Sequence, residues 1–190
     1  MLGVLLVVRL ATNLTIHRLS PQILADRTKP PIQAGQPLLD RVLLLAFMAT
    51  FALLVSVASA DGLRFRLLGS VPMALSVAGL VVFVAGWVVA ASAVLVNVFA
   101  LTVIRAQAGQ VMVRTGPYRF VRHPIYSGGV LVMLGESLWL GSNLALVAMC
   151  VPTAILVARI HFEERFLAAN VNGYAGYAAQ VKYRLVPGLW

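Results

Sequence analysis

Apolar positions run in long blocks along this 190-residue chain, and polar ones collect between them. Residues 1–16 form a short first block, interrupted by Arg9, Thr12 and Asn13; residues 42–60 form a clear second. The third, residues 71–104, holds no charge at all, and Pro72 suits the first turn of a helix there. Blocks at 124–140 and 144–162 follow, joined by Gly141, Ser142 and Asn143. A helix needs about 20 apolar residues to cross a hydrocarbon core of roughly 30 Å. The pattern therefore predicts an all-α integral membrane protein with about five transmembrane helices, the last two a tight antiparallel hairpin because their turn is so short. At about 1.5 Å per residue the third block would reach roughly 51 Å, so its end must tilt, break or protrude.

Composition agrees with the pattern. Hydrophobic residues make up 61% of the chain, charged ones 11%, and the mean hydropathy of +0.91 lies far from the range of soluble domains. The length leaves room for a single domain over 1–190. The lone cysteine, Cys150, excludes an intrachain disulfide and a cysteine-based metal cluster, so helix packing must hold the fold. The opening MLGVLLVV lacks a basic flank and a small-residue cleavage site and reads as a retained span.

Charge supplies orientation. Twelve of the fifteen Lys and Arg residues fall in three stretches, 17–41, 105–123 and the tail from 159, against Arg64 and Arg66 on the other side and Arg9 within the first block. The positive-inside bias puts those three stretches in the cytosol of a multi-pass protein. The net charge of +9 calls for no nucleic acid; Arg18, Arg27, Lys29 and Arg41 flank spans, where basic residues meet anionic lipid.

Two polar clusters stand out. RTGPYRFVRHPIYSGG, Arg114 to Gly129, gathers arginines, aromatics, prolines and glycines. Gly116 can take backbone angles closed to other residues, and Pro124 should begin the fourth helix with His123 at its N-cap, where unpaired N–H groups attract anions. The bland reading has Tyr118 and Tyr126 as interfacial aromatics and the arginines on lipid phosphate. ARIHFEERFL, Ala158 to Leu167, closes the fifth helix and holds two of the chain's six acids side by side. Arg159 and Glu163 share a helical face, as do His161 and Arg165, while Glu164 points about 100° away from Glu163. A tight hairpin forces the start of helix four against the end of helix five, bringing His123 and Tyr126 near Arg159 and Glu163. Glu136 is a further intramembrane acid, about 20 Å along its helix from His123, and is expected to be structural and to reach water near the outer turn.

RHPIYSG, EERFL and YAGYAAQVKYRLVPGLW together resemble the isoprenylcysteine carboxyl methyltransferase family and its bacterial relatives, over roughly Gln110 to Trp190. The resemblance implies a membrane enzyme using S-adenosylmethionine, with 1–104 as N-terminal spans and 105–190 as the cofactor-binding catalytic part. It implies cofactor contacts from Gln110, Val111, Met112 and Val113 in an approach strand, from Tyr118, from His123, Pro124, Ile125 and Tyr126, and from Glu163. It puts the substrate-binding arginine at Arg159, so that Arg159 and Glu163 are the catalytic candidates. The chain departs from the family at Asn170–Tyr174, where a Phe-Gly pair is missing, and in a short loop at 105–110.

The chemistry suits these residues. Methyl transfer from a sulfonium depends mainly on proximity and alignment, and a carboxylate acceptor, with a pKa of about 3.5, needs no general base. A guanidinium at Arg159 would give a carboxylate a two-point grip, with Glu163 bracing it or holding the cofactor. The expected activity is methyl transfer to a hydrophobic acceptor such as the carboxylate of an isoprenylcysteine-like lipid, in a cytosol-facing pocket joined to a lipid-facing opening lined by residues 93–104. The rivals are a sterol-type membrane reductase using NADPH and a non-catalytic membrane scaffold or small transporter subunit. No metal is expected, since His17, His123 and His161 are too few for a di-metal centre.

Overall fold

A computed structural model describes Leu14, residues 29–105, residue 107 and residues 109–190. The first apolar block, Leu14 apart, lies outside these residues, as do Arg9, His17, Arg18 and Arg27. Helix α1, Leu38–Ala60, runs on into a π-helical turn at Asp61–Phe65. Helix α2 is Met73–Val96 and α3 is Pro124–Trp139, with a 3-10 turn at Gly116–Arg119 between them. Helices α4, Asn143–Ala148, and α5, Cys150–Asn170, follow one another with only Met149 between, and α6, Tyr174–Gln180, leads into the tail.

Three helical segments among the described residues are long and apolar enough to cross a membrane: Leu38–Phe65, Met73–Val96 and Asn143–Asn170. With 16 residues, α3 reaches only about 24 Å and falls short of that length. The overlong third block breaks, as its length requires. Helix α2 ends at Val96, and the Asn97 side chain accepts the N–H of Phe99 at 3.0 Å, a local turn that competes with further helix. Residues 110–113, expected as an approach strand, join no ladder; the described residues contain only an isolated bridge between Ser70 and Ser142.

Helices α2 and α3 approach each other glycine on glycine. Gly79 and Gly86 on α2 and Gly128 and Gly135 on α3 repeat at the same seven-residue interval, so antiparallel packing sets Gly79 against Gly135 and Gly86 against Gly128. A Cβ added at Gly128 would lie 2.6 Å from the carbonyl oxygen of Gly86, and one at Gly86 would lie 2.7 Å from that of Gly128. Only glycine permits such backbone contact, which replaces the hydrophobic drive that lipid removes.

Helices α1, α3, α4 and α5 share a second core of Leu54, Ala58, Met133, Leu140, Ala145 and Leu156. Its end beside the α3–α4 turn is latched by Asp61, which accepts the Ser142 hydroxyl at 2.6 Å and the Leu67 N–H at 2.7 Å. Ser142 in turn accepts the Ala145 N–H at 3.0 Å and caps α4. With only Leu140 to Ser142 between them, α3 and α4 reverse direction as the turn predicted.

Candidate functional site

The loop before α3 is shaped by its own sequence. Gly116 takes a φ of +58°, Pro117 fixes the next residue, and the short 3-10 turn tucks Tyr118 into the interior. The Tyr177 hydroxyl of α6 donates to the Tyr118 carbonyl at 2.9 Å. Burial pushes the Tyr177 phenol up to about 12. Burial first, and then the neighbouring Glu164 charge, push Tyr174 up as well. The tail lies along the loop: Arg122 N–H donates to Tyr183 O at 2.9 Å, His123 N–H to Arg184 O at 3.0 Å, and Ser127 Oγ to Leu185 O at 2.6 Å.

Pro124 opens α3 with His123 at the N-cap, as expected. The buried His123 ring stacks on Tyr126, centroids 5.6 Å apart and planes within 3°. The two acids of α5 then divide the loop between them. Glu163 Oε2 accepts the Tyr126 hydroxyl at 2.6 Å and lies 4.0 Å from His123 Nδ1. Glu164 takes Arg122 Nε at 2.6 Å, Arg184 Nε at 2.9 Å and His123 Nε2 at 3.2 Å. Adjacent residues on a helix point about 100° apart, and that divergence lets one carboxylate face Tyr126 while the other clasps loop and tail.

Arg159, one turn before Glu163, is buried beside the Tyr126 ring, with its guanidinium carbon 5.7 Å from the ring centroid. Its principal partner is Asp40 at the start of α1: Nε donates to Asp40 Oδ1 at 2.9 Å, and Nη2 donates to the Thr102 carbonyl at 2.6 Å. Asp40, with no exposed surface, accepts also from the Ile104 N–H at 2.9 Å and from Gln36 Nε2 at 2.8 Å. Glu163 does not brace Arg159 as the sequence suggested. With Nε and Nη2 engaged, the two-point grip on an acceptor is reduced to the remaining amino group.

These parts surround one cavity of about 490 Å³. All eleven residues singled out in the sequence line it: Gln110, Val111, Met112, Val113, Tyr118, His123, Pro124, Ile125, Tyr126, Arg159 and Glu163. Residues 97 and 99–104, from the surplus of the third apolar block, line it too, as does Arg105 just beyond it. Four of its buried polar atoms lack a protein partner among the described residues: Trp87 Nε1, Arg105 Nε, Gln110 Oε1 and Tyr174 OH. Buried polar groups are seldom left unpaired, so these atoms leave hydrogen-bonding capacity in the cavity wall.

Asp40, Arg105, Glu164 and Trp87 were missed as site residues. The signal for Asp40 was present: an acid at the mouth of a span in a chain with six acids needs a basic partner. Glu136 departs from expectation. It is buried rather than water-reaching, and its Oε1 has no partner among the described residues.

A family model described as phospholipid methyltransferase matches residues 73–171, just over half of the chain. That family shares a clan of membrane methyltransferases with the isoprenylcysteine carboxyl methyltransferases. A search of the curated proteins finds no match.

Proposed function

The chain belongs to the phospholipid methyltransferase family, and we propose that it moves a methyl group from S-adenosylmethionine to the polar head of a lipid-like acceptor, at a site opening to the cytosol. Membership makes it an integral membrane methyltransferase; the cofactor, the acceptor and the residue roles are our reading. One observation carries it: residues 110–113, His123 and Tyr126 of one loop-and-helix stretch and Glu163, 37 residues beyond Tyr126, line one cavity of about 490 Å³. That volume falls within the roughly 300–1,000 Å³ of small-molecule sites. Unpartnered polar atoms on Gln110, Trp87 and Tyr174 suit a ligand with as many hydrogen-bonding edges as a nucleoside.

When bound, S-adenosylmethionine supplies an electrophilic methyl group. Residues 110–113, Tyr118 and the His123–Tyr126 turn hold the cofactor, with Glu163, oriented by the Tyr126 hydroxyl, receiving its hydroxyl or amino groups. Arg159 meets the acceptor. An isoprenylcysteine-like carboxylate is ionised at neutral pH and needs only alignment. A second acceptor class, a lipid amine, is favoured by a different observation: Asp40 already balances the charge of Arg159. An amine must shed a proton, for which Glu163 supplies a carboxylate.

Calorimetry of the purified protein with S-adenosylhomocysteine tests the cofactor. Glu163→Ala and His123→Ala should each abolish binding in a protein that still folds, and unchanged affinity in both would remove the pocket. Labelled methyl transfer into vesicles containing phosphatidylethanolamine, or into a prenylated thioether acid, then separates amine from carboxylate. Arg159→Ala should raise the acceptor KM more than the cofactor Kd; the reverse ranking would reject its role.

A further inference from the structure

Arg105 brings a guanidinium to the wall of the cavity. Among the described residues it makes no hydrogen bond or ion pair, its Nε is buried, and it lines the cavity. The side chain as a whole is half-buried, but a buried N–H donor without an acceptor is unfavourable until one reaches it. Its position is nevertheless fixed. The preceding residue, Ile104, gives its N–H to Asp40 Oδ2 at 2.9 Å, while the other oxygen of that carboxylate takes Arg159 Nε at 2.9 Å. One fully buried acid thus registers both the backbone that carries Arg105 and the guanidinium of Arg159.

The charges point the same way. Asp40 balances Arg159, Tyr126 holds Glu163, and Glu164 is shared by Arg122, His123 and Arg184. Arg105 is left as the cation of the cavity wall without an acid beside it among the described residues. Arg159 keeps one amino group, Nη1, without a partner among the described residues.

We propose that Arg105 Nε and Arg159 Nη1 form an anion subsite for the acceptor, binding a phosphate or carboxylate oxygen of its head, with Asp40 as the residue that positions both. This rests on the acceptor lying at the Arg159 end of the cavity, as in the function proposed above. It separates tasks that the sequence assigned to Arg159 alone: Arg159 ties helix to loop, and Arg105 supplies the uncompensated charge.

The subsite is tested without any methyl transfer. The full chain in a neutral detergent is titrated calorimetrically with dodecyl phosphate and with dodecanoate, which carry the two head groups on one alkyl chain. One amphiphile per chain should bind. Arg105→Gln should weaken it about tenfold, as expected for loss of a charge-assisted hydrogen bond, and Arg105→Lys should restore part of the loss. Arg119→Gln, an exposed arginine stacked on Phe120, should change nothing. Tighter binding of the phosphate identifies a lipid phosphate as the source, and tighter binding of dodecanoate a carboxylic acid. The proposal is overturned if neither amphiphile binds, if Arg105→Gln binds as the wild type does, or if Arg119→Gln weakens binding equally. It also fails if Arg105→Gln lowers S-adenosylhomocysteine affinity instead, since the cation would then serve the cofactor. Absence of S-adenosylhomocysteine binding to the wild type would refute the proposed function and leave the amphiphile result standing.

Discussion

Two helix pairs in this molecule are built on opposite principles. Helices α2 and α3 meet backbone to backbone through four glycines, with no room for an added methyl group. The start of α3 and the end of α5 meet through long polar side chains, Tyr126 on Glu163 and His123 on Glu164, with a cavity beside them. The first pair contributes rigidity and almost no chemistry; the second contributes chemistry on side chains that need a fixed platform. Because α3 belongs to both pairs, its glycine face sets where His123 and Tyr126 stand.

The contrast is broken most severely at Gly135, where a new side chain would overlap the Phe83 backbone N. Gly135→Val should cost on the order of 3 kcal/mol or more through overpacking, read as a lower thermal midpoint in detergent. On the same helix nothing lies within 4 Å of a Cβ added at Gly129. There Gly129→Ala should stabilise by up to about 1 kcal/mol through helix propensity. Equal effects at the two positions would show that α3 is not seated on α2 as described.

At the polar end the neighbouring acids should respond differently. Glu164→Gln loses charge-assisted bonds to Arg122 and Arg184 and should cost about 2–3 kcal/mol of stability. Tyr126→Phe removes the single short donor to Glu163, should cost about 1–2 kcal/mol, and should appear chiefly as weaker S-adenosylhomocysteine binding. If Tyr126→Phe unfolds the protein while Glu164→Gln is silent, the division between a bracing acid and a binding acid is wrong.

Much of this arrangement was legible in the residues. The blocks gave the helices, Gly141 to Asn143 gave the reversal, and Arg159 and Glu163 one turn apart gave the meeting with His123 and Tyr126. What escaped were the long-range partners. Asp40 lies 119 residues from Arg159, and no local period links an acid at the start of one helix to a base at the end of another. The seven-residue glycine spacing was readable, since Gly79 and Gly86 match Gly128 and Gly135, but it says which faces approach only once both helices are seen as antiparallel neighbours. Glu136 misled because distance along a helix measures depth in the membrane and not the cover given by a neighbour.

The smallest effect sharpens the comparison from outside the membrane segments. Tyr177 lies on α6 beyond the last long apolar helix and gives its hydroxyl to the Tyr118 carbonyl, joining the tail to the TGPY turn. Tyr177→Phe should cost about 1 kcal/mol, the value of one neutral hydrogen bond. Its pH dependence has a definite sign. The folded phenol is raised by burial to about 12, against about 10 for an unfolded tyrosine, so its contribution is complete below pH 10 and is lost as pH rises through 12. Wild-type stability should therefore fall between pH 10 and 12 more steeply than that of Tyr177→Phe, measured by thermal unfolding across that window. Superimposable profiles would mean that the phenol is not buried against the loop, and the platform beneath Tyr118 would have to be sought elsewhere in the tail.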